Sequence, residues 1–332
     1  MAGMDDVPPE ILRAAYQRRH WPLIKIPLYY AMWAGGVAVL YATKDSPWAI
    51  PIGLAVCLLI TNLVRGLGSI AHDAIHGTVT KNKTLAYLIG LVCWAPSGMS
   101  VTIYQNYHLH HHRITNTYPD VDNFVVTDYT RNPFLARALL LVVYTFGYPT
   151  YFMFQMFRYI KRLTPARKLR MNLELAGFWG LIGVMGYLMP LQVFLFAFPL
   201  AFVFGAVLAS VTSMIEHYEM PEGDDAYGSR TYCTRMPLMA WIWNNVPYHV
   251  EHHKYPGIPW YNLKSFHEAA YPHYDEKVKA NCHGGFFGLV FHLYGRILKF
   301  DVDSVETKYQ AIDRDAERQK SMTLPGIESA AA

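Results

Sequence analysis

Four long apolar segments set the strongest limit on how this chain folds. Each contains about twenty residues, the length that an α-helix needs to cross the hydrocarbon core of a bilayer. The segments are residues 22–43, 47–68, 171–190 and 191–215. A short polar link joins the first two, and only a break at Met189 and Pro190 separates the last two. The pattern therefore predicts two transmembrane hairpins.

The amino-acid composition agrees with a membrane location. Hydrophobic residues make up 52% of the 332 residues and charged residues 16%, whereas about a quarter of a soluble domain is charged. The formal net charge is only +4, and basic residues cluster beside the apolar segments. This placement indicates orientation in a membrane, so we expect no nucleic-acid partner.

The basic residues also predict the side on which the hairpins open. They precede or open the first and third apolar segments, at Arg13, Arg18, Arg19, Lys25, Arg158, Lys161, Arg162, Arg167, Lys168 and Arg170. Segments flanked by Lys and Arg keep those flanks in the cytoplasm. Because each hairpin returns the chain to the side where it started, the remaining polar segments are expected on the cytoplasmic side as well.

These observations predict an all-α integral membrane protein. It has four transmembrane helices in two hairpins, interfacial helices formed by shorter apolar runs, and a cytosolic helical cap. The expected parts are a cytosolic N-terminal segment at residues 1–21, a membrane domain at 22–300 whose cap comprises 69–170 and 216–300, and a polar tail at 301–332.

Two histidine motifs in the predicted cap have the spacing of one helical face. In HDAIH, the two histidines are four residues apart. In HLHHH, the first, fourth and fifth residues are related as i, i+3 and i+4, whereas His110 points away from their face. Imidazoles that share a face are able to share a metal ion, which gives as candidate ligands His72, His76, His108, His111 and His112.

The i, i+3, i+4 spacing recurs far downstream in NVPYHVEHH, at His249, His252 and His253. Repetition of one spacing at two remote positions is hard to obtain by chance. A ninth candidate, His217, lies at the cytoplasmic end of the last apolar segment, close to the depth of the other groups. This lone histidine is also explained as a buried side chain that is hydrogen-bonded to Glu216 or Tyr218.

Nine imidazoles exceed the capacity of one ion, because zinc takes four ligands and octahedral metals take six. The count predicts two metal ions in the cap. Imidazole binds iron, copper, zinc and nickel, so the ligand type alone leaves the metal open. A membrane-bound pair of metals with open coordination positions suits oxygen activation against a hydrocarbon, which favours iron.

The motifs resemble the integral-membrane fatty acid desaturase superfamily, whose three histidine boxes are matched here by HDAIH, HLHHH and HVEHH. The likeness extends to HHRIT and to NVPYHVEHHKYPGIPWYNL, and it is closest to bacterial acyl and sphingolipid-type members. It implies a diiron centre that uses dioxygen as co-substrate. The implied iron ligands are His72, His76, His108, His111, His112, His217, His249, His252 and His253, with Asn245 joined to a metal through water.

One position departs from a branch of that family. Animal acyl-CoA desaturases carry an asparagine four residues before the additional histidine, whereas this chain has Ser213 there. The surroundings of His217 are therefore expected to differ from those in that branch.

Three carboxylates are adjacent to candidate ligands in the sequence, at Asp73, Glu216 and Glu251. A carboxylate that accepts the free N–H of a ligating imidazole fixes its tautomer and orientation. We expect this role for all three. The other interpretation is that they are solvated or paired with Arg113 and Arg230.

The resemblance implies a membrane-bound oxidoreductase that desaturates an acyl chain of a fatty acid or lipid. A hydroxylase or ketolase acting on a carotenoid, a sphingoid or another long apolar substrate is the alternative on the same scaffold. The sequence carries no dinucleotide fingerprint, cysteine cluster or haem-binding extension, so the expected electron donor is a ferredoxin or a b-type cytochrome with its reductase. The bacterial inner membrane is favoured over the endoplasmic reticulum as the location.

A membrane metal transporter is a hypothesis of a different class. Transporters place ionisable residues within the bilayer along the path of the substrate. The cores of the four apolar segments carry almost none. The sequence therefore favours an enzyme.

Overall fold

The computed structural model describes residues 4–117, 120, 122–221 and 227–302. Within these ranges the chain is helical, with one isolated parallel bridge between Thr231 and Cys282 and no strand. The predicted all-α class is therefore confirmed. Most of the predicted polar tail, from residue 303 onward, lies outside the described residues.

The α-helices follow one another in the order α1 (Pro9–Ala15), α2 (Lys25–Thr43), α3 (Ala49–Ile75), α4 (Lys83–Trp94), α5 (Val101–His111), α6 (Pro133–Phe146), α7 (Met153–Ile160), α8 (Pro165–Leu188), α9 (Leu191–Ala197), α10 (Pro199–His217), α11 (Pro237–Ile242), α12 (His249–Lys254), α13 (Trp260–Ala270), α14 (Glu276–Ala280) and α15 (Phe286–Leu298). Short 3-10 turns precede α2 and join α4 to α5, and a π turn precedes α7.

Three helical stretches are long and apolar enough to cross a membrane: Trp21–Thr43, Ala49–Ile75 and Leu191–His217. They correspond to the first, second and fourth predicted segments, and the second begins at Ala49 instead of residue 47. The third predicted segment lies in α8, a helix of 24 residues that carries Glu174 and several glycines in its apolar part. These residues lower the mean hydropathy of α8. Its composition therefore does not identify α8 as a candidate membrane span, unlike the three stretches above.

Helix α3 is longer than a bilayer requires. Its 27 residues extend for about 40 Å, whereas the hydrocarbon core is about 30 Å thick. The helix therefore exceeds the thickness of the apolar layer, and its last turn carries His72.

Helices α4 and α5 form a bent pair whose axes meet at 96°. The turn contains Gly98 at φ 75°, a left-handed conformation that glycine adopts without steric cost. The Ser100 side chain then caps α5 by accepting a hydrogen bond from the Ile103 backbone N–H. The bend brings the C-terminal end of α5 to that of α3, where the rings of His72 and His108 are in contact.

Glu174 of α8 ties that helix to the start of α5. Its carboxylate accepts hydrogen bonds from the Thr102 backbone N–H at 3.1 Å and from the hydroxyls of Ser100, Thr102 and Tyr87. A carboxylate at a helix N-terminus satisfies free N–H groups and interacts favourably with the helix dipole. The contact fixes the helix that carries the second histidine motif.

The N-terminal segment packs on α12 and α13. Met4, Val7 and Ala15 are buried in one apolar cluster with residues of α12 and α13. The Asn262 side-chain amide of α13 donates hydrogen bonds to the Ala15 and Gln17 carbonyls, both at 2.8 Å. The segment thereby closes the outer side of the region around α12.

Candidate metal centre

The four histidine groups meet at helix ends. His72 lies in the last turn of α3, with His76 at its C-cap, and His217 is the last residue of α10. His108 and His111 lie in the last turn of α5, with His112 at its C-cap, and α12 carries His249, His252 and His253. All nine side chains that were predicted as metal ligands are brought together.

Five of these histidines form one group, which we call the five-histidine cluster. One ring nitrogen from each lies within 4.8 Å of those from the others, and the members are His72, His76, His108, His112 and His252. The Nε2 atom of His108 lies 3.1 Å from that of His76 and 2.9 Å from that of His112. The Nε2 atoms of His112 and His252 are 3.0 Å apart.

The other four form the four-histidine cluster, which consists of His111, His217, His249 and His253. Ring nitrogens of His111, His217 and His253 lie within 4.8 Å of one another. The Nε2 atom of His249 joins them at 3.1 Å from Nε2 of both His217 and His253. The rings of His112 and His253, one from each cluster, are stacked with centroids 4.3 Å apart, so the clusters adjoin.

The spacing between nitrogens fits metal ions. Two donors bound at right angles, each about 2.1 Å from an ion, are about 3.0 Å apart. The Nε2 separations in both clusters are 2.9 to 3.1 Å. Each cluster therefore has the nitrogen spacing of a site with adjacent imidazole ligands.

Unpartnered buried nitrogens support this assignment. Among the described residues, both ring nitrogens of His72 and the Nδ1 atoms of His249 and His252 are buried without a hydrogen-bond partner. Buried polar atoms are almost always paired, because leaving one unpaired costs about 1–3 kcal/mol. A metal ion bound by His72 Nε2 removes that cost for one of these atoms.

The charge state of α12 also suits metal binding. Burial, together with the neighbouring imidazoles, holds the pKa of His249, His252 and His253 well below the usual value of a histidine. The rings are therefore neutral at physiological pH. A neutral imidazole has a free lone pair, which is the form that binds a metal.

Two members of the four-histidine cluster are oriented through Nδ1. His111 Nδ1 lies 3.0 Å from both carboxylate oxygens of Asp120, and His217 Nδ1 lies 3.1 Å from the Gly228 carbonyl oxygen. Asp120 is itself fixed, since it accepts a hydrogen bond from the Asn116 backbone N–H at 2.7 Å. These contacts direct Nε2 of both rings into the cluster.

Asp120 was not among the predicted carboxylates. It lies nine residues after His111, in a loop, so helical spacing does not relate the two. Asn116, at φ 57°, helps the chain to turn back toward α5. The DVDN stretch was the only available signal, because it places two acids shortly after the second histidine motif.

The three carboxylates that were predicted to support ligands have different surroundings. Asp73 Oδ1 lies 3.5 Å from His72 Nδ1, a contact without good hydrogen-bond geometry, while Oδ2 accepts from the Trp260 backbone N–H at 2.7 Å. Glu216 Oε2 lies 3.8 Å from His249 Nε2, and Oε1 accepts from Arg65 and Tyr232. Both carboxylates therefore adjoin the clusters.

Among the described residues, the hydrogen bonds of Glu251 go to side chains outside both histidine clusters. Its predicted role, to orient a ligating histidine, therefore needs correction. Its carboxylate pairs with His267 Nδ1 at 2.5 Å and accepts from the hydroxyls of Thr231 at 2.5 Å and Tyr274 at 2.9 Å. The side chain leaves α12 on the face opposite to the ligand face. It anchors α12 to α13.

Two other positions that the sequence analysis singled out, His110 and Asn245, each make one side-chain hydrogen bond that shows their surroundings. His110 Nδ1 lies 2.9 Å from the Tyr159 hydroxyl, and the side chain is in neither cluster, as its helical position predicts. The Asn245 side-chain amide donates to the Trp260 carbonyl at 3.2 Å. Its link to a metal through water stays a prediction.

Contacts with α2 and α3 fix the segment before α12. Asn244 Oδ1 accepts hydrogen bonds from Lys25 Nζ at 2.8 Å and from the Tyr29 hydroxyl at 3.2 Å. Its side-chain amide donates to the Gly66 carbonyl at 2.7 Å. A Cβ atom at Gly66 would lie 2.4 Å from the Ile242 carbonyl oxygen, so only glycine permits this close approach.

Comparison with known proteins agrees with this geometry. The sequence model of the fatty acid desaturase family matches residues 45–284. Sphingolipid delta(4)-desaturase DES1 of Drosophila melanogaster is 28% identical over 260 residues, which cover 73% of this chain and 75% of the relative. Sphingolipid delta(4)-desaturase/C4-monooxygenase DES2 of Homo sapiens is 31% identical over 241 residues, covering 69% and 66%. The DES1-like sphingolipid delta(4)-desaturase of Arabidopsis thaliana is 26% identical over 268 residues, covering 77% and 73%.

The chain belongs to the fatty acid desaturase family. It is a membrane oxidoreductase, an oxygen-dependent desaturase or hydroxylase of a lipid chain. The family therefore supports the enzyme hypothesis over the transporter hypothesis. The relatives named above are eukaryotic, so the expected closeness to bacterial members receives no support.

Proposed function

We propose that the nine clustered histidines bind two iron ions and that the enzyme oxidises the saturated chain of a sphingoid-type lipid. The observation that carries the proposal is the convergence of nine imidazoles into two adjoining clusters with nitrogen spacings near 3 Å. The substrate class follows from the relatives, whose names describe sphingolipid desaturases.

The reaction balances with dioxygen and an external electron donor. Desaturation consumes one dioxygen molecule, two electrons and two protons, removes two hydrogen atoms from adjacent carbons, and releases two waters. Hydroxylation consumes the same reagents, places one oxygen atom in the lipid, and releases one water. The bound irons supply oxygen activation, which amino-acid side chains alone do not provide.

The residues of the chain position and enclose the reaction. The histidines of α3, α5, α10 and α12 hold the metals, and Asp120 keeps the Nε2 lone pair of His111 directed into the cluster. Trp94, Tyr104 and Tyr107 line the cavity beside the histidines and limit access of water to it. Electrons come from a ferredoxin or a b-type cytochrome that docks on the cytosolic side.

The topology that fits this function has four spans. Helix α8 has 24 residues, about 36 Å, which is long enough to cross the bilayer. Its apolar side chains Trp179, Leu181 and Val184 are exposed, as lipid-facing residues are. The basic residues before α2 and α8 support a cytoplasmic location of the histidine clusters in this topology.

Desaturation is the leading reaction, and hydroxylation is the second candidate because one relative is named as both a desaturase and a C4-monooxygenase. Placement of the chain decides between loss of a second hydrogen and transfer of oxygen.

Expression in a host of known sphingolipid composition, with a matching electron donor, tests the proposal. We expect new lipids with one additional double bond and no oxygen from labelled dioxygen. Retention of labelled oxygen would assign hydroxylation. Failure of the iron-loaded, reduced enzyme to oxidise saturated sphingoid lipids would contradict the proposed substrate class.

A further inference from the structure

Helix α15 has three faces that differ in character. One face is buried in an apolar cluster together with the end of α10, and it consists of Phe286, Leu289, Leu293 and Ile297. A second face is also apolar but exposed. We call it the α15 stripe: Phe287, Phe291 and Leu298, which are 58%, 75% and 58% exposed. These three positions fall within about 40° around the helix axis, so they form one continuous face.

The third face of α15 is polar and partly basic. His292, Arg296 and Lys299 are exposed, and they lie about 100–160° around the axis from the centre of the α15 stripe. A helix on the surface of a soluble protein buries one face and exposes polar residues on the rest. A helix that lies in a membrane surface has an apolar face toward the lipid and basic residues on its polar face. The faces of α15 match the second arrangement.

Two helices near α15 expose apolar side chains as well. Helix α6, which packs against α15, exposes Leu135, Val142 and Phe146, three positions within about 40° of one another. Helix α11 exposes Leu238 and Trp241. Large exposed apolar patches mark surfaces that contact a protein or a membrane.

Other helices of the same region do not share this property. Helix α13, which follows α12, exposes Ser265, Glu268 and Ala269, and these side chains are polar or small. The exposed apolar residues are therefore not a general feature of the chain after α10.

Contacts with α2 and α3 show the depth at which α11 lies. The Ile242 carbonyl of α11 accepts a hydrogen bond from the Tyr29 hydroxyl at 2.8 Å, and its oxygen would lie 2.4 Å from a Cβ atom at Gly66 of α3. From Ala49, the first residue of α3, the helix rises about 26 Å to Gly66. The hydrocarbon layer is about 30 Å thick. The end of α11 therefore lies just inside the apolar layer, and a tilt of α3 would place it deeper.

The two ends of α15 lie at different depths. At its start, the Phe286 ring is 5.5 Å from the ring of Trp243, which follows α11 directly and donates to the Asn62 side chain of α3 at 2.9 Å. Near its end, Arg296 pairs at 3.0 Å with Glu219, which lies beyond the last residue of α10. Helix α15 thus rises from the apolar layer toward the polar surface.

We propose that the α15 stripe and the exposed faces of α6 and α11 are embedded in the bilayer leaflet on the side of the histidine clusters. The basic end of α15, at Arg296 and Lys299, reaches the phospholipid headgroups, whose negative charge complements it. The partner of this surface is therefore a lipid leaflet, although α11 and α15 belong to the stretch expected as a cytosolic cap. The inference goes beyond the proposed function, because it holds whatever lipid the enzyme oxidises.

The arrangement has a consequence for the metal centre. Helix α11 is followed within a few residues by α12, which carries the third histidine motif. A membrane contact at α11 and α15 therefore fixes the height of that motif above the bilayer. Residues 303–332 fit the stripe less well than lipid does, since they contain no run of large apolar side chains.

The first experiment uses nanodiscs that each hold one copy of the full chain, so a second copy does not cover the stripe. Cys282→Ser removes the one cysteine that is not buried, and Phe291→Cys is then labelled with an environment-sensitive fluorophore. A spin label on the lipid acyl chains should quench this fluorophore at least about threefold more than iodide in the water does, because an interfacial helix buries its apolar face below the headgroups.

The matched control is His292→Cys, labelled in the same background. His292 is the next residue of the same helix and is also exposed, but it faces away from the α15 stripe. We expect iodide to quench this label more than the acyl-chain spin label does. Equal ratios at the two positions would overturn the proposal. Protection of the label at residue 291 from both quenchers would overturn it too, since protein would then cover the stripe.

The inclination of α15 gives a second test. Labels at Phe287→Cys and Leu298→Cys lie in the same stripe near opposite ends of the helix. The acyl-chain spin label should quench the first more strongly, and a spin label on the lipid headgroup should quench the second more strongly. Equal quenching at both ends, or the reverse order, would contradict the depths derived from Trp243 and Glu219.

A stability measurement needs no label. An aspartate at a water-exposed position costs little, whereas a charged side chain in the apolar layer is unfavourable. Phe291→Asp should therefore lower the melting temperature in nanodiscs by about 3–5 °C, and His292→Asp should change it by less than about 1 °C. Equal melting temperatures for the two variants would show that residue 291 faces water and would overturn the proposal.

Discussion

The two histidine clusters differ in how the protein holds their rings. In the four-histidine cluster, Asp120 and the Gly228 carbonyl orient His111 and His217 through Nδ1. In the five-histidine cluster, His72 has no hydrogen-bond partner at either nitrogen among the described residues. Protein contacts therefore partly preorganise the four-histidine cluster, whereas the order of the five-histidine cluster would depend more on the proposed metal.

The difference follows from where the ligands lie. The acceptor nearest to His72 is the Asp73 carboxylate, whose Oδ1 lies 3.5 Å from His72 Nδ1 while Oδ2 accepts from Thr78 and from the Trp260 backbone N–H. His111 faces a polar loop that contains both Asp120 and Asp122. A carboxylate that accepts from a ligating imidazole raises its basicity and fixes its orientation.

The largest expected effect separates ligands from adjacent histidines. His111→Ala removes a member of the four-histidine cluster, and we expect loss of iron and at least about a hundredfold loss of activity. His110→Ala removes a neighbour that bonds Tyr159 instead, and iron binding should remain. Iron content and turnover are measured for both. Equal iron loss in the two variants would contradict the assignment of the helical face.

Metal removal should affect the five-histidine cluster more than the other. After chelation, the unpartnered His72 loses what orders it, whereas His111 keeps its bond to Asp120. We expect amide hydrogen exchange to rise by about tenfold more at residues 70–78 than at residues 111–117. Mass spectrometry of peptides from both regions gives the comparison. Uniform loss of protection would show that the clusters depend equally on metal.

The two buried carboxylates Asp120 and Glu251 form a matched pair, since each contacts a histidine. Asp120→Asn should weaken iron binding by about tenfold to a hundredfold, because the histidine that Asp120 contacts, His111, is a proposed ligand. Glu251→Gln should keep iron but lower the free energy of unfolding by about 1–3 kcal/mol, because it disturbs bonds to His267, Thr231 and Tyr274. Iron titration and denaturation measure the two effects. The reverse pattern would return Glu251 to the metal centre.

The smallest effect is expected at Tyr159→Phe. This change removes the hydroxyl that contacts His110 and should cost about 1 kcal/mol of stability without altering iron content. Thermal denaturation with iron analysis tests it. A loss of iron would show that His110 influences the clusters through α5.

The sequence predicted the parts of the site that depend on local periodicity. Spacings of three and four residues placed the histidines of α5 and α12 on one face of each helix and separated His110 from its neighbours, because both segments are helical. The spacings did not predict that each set of three is divided between the two clusters. The long apolar runs predicted α2, α3 and the stretch from α9 to α10, because the length and composition of each run are properties of the local sequence.

Contacts made by loops and by tertiary packing were not predictable in this way. Asp120 reaches His111 through a left-handed turn at Asn116, and no periodic pattern marks that approach. Glu251 directly precedes the proposed ligand His252 in the sequence, yet its side chain leaves α12 toward His267. Adjacency along a helix places neighbouring side chains about 100° apart, so it does not imply a shared partner.

The metal content of the purified protein tests the central claim most directly. Elemental analysis combined with Mössbauer spectroscopy of protein loaded with isotopically enriched iron counts the ions and identifies their ligand environment. The two clusters predict two irons per chain in nitrogen-rich sites. One ion per chain, or zinc in both sites of an enzyme that still oxidises lipid, would contradict the account.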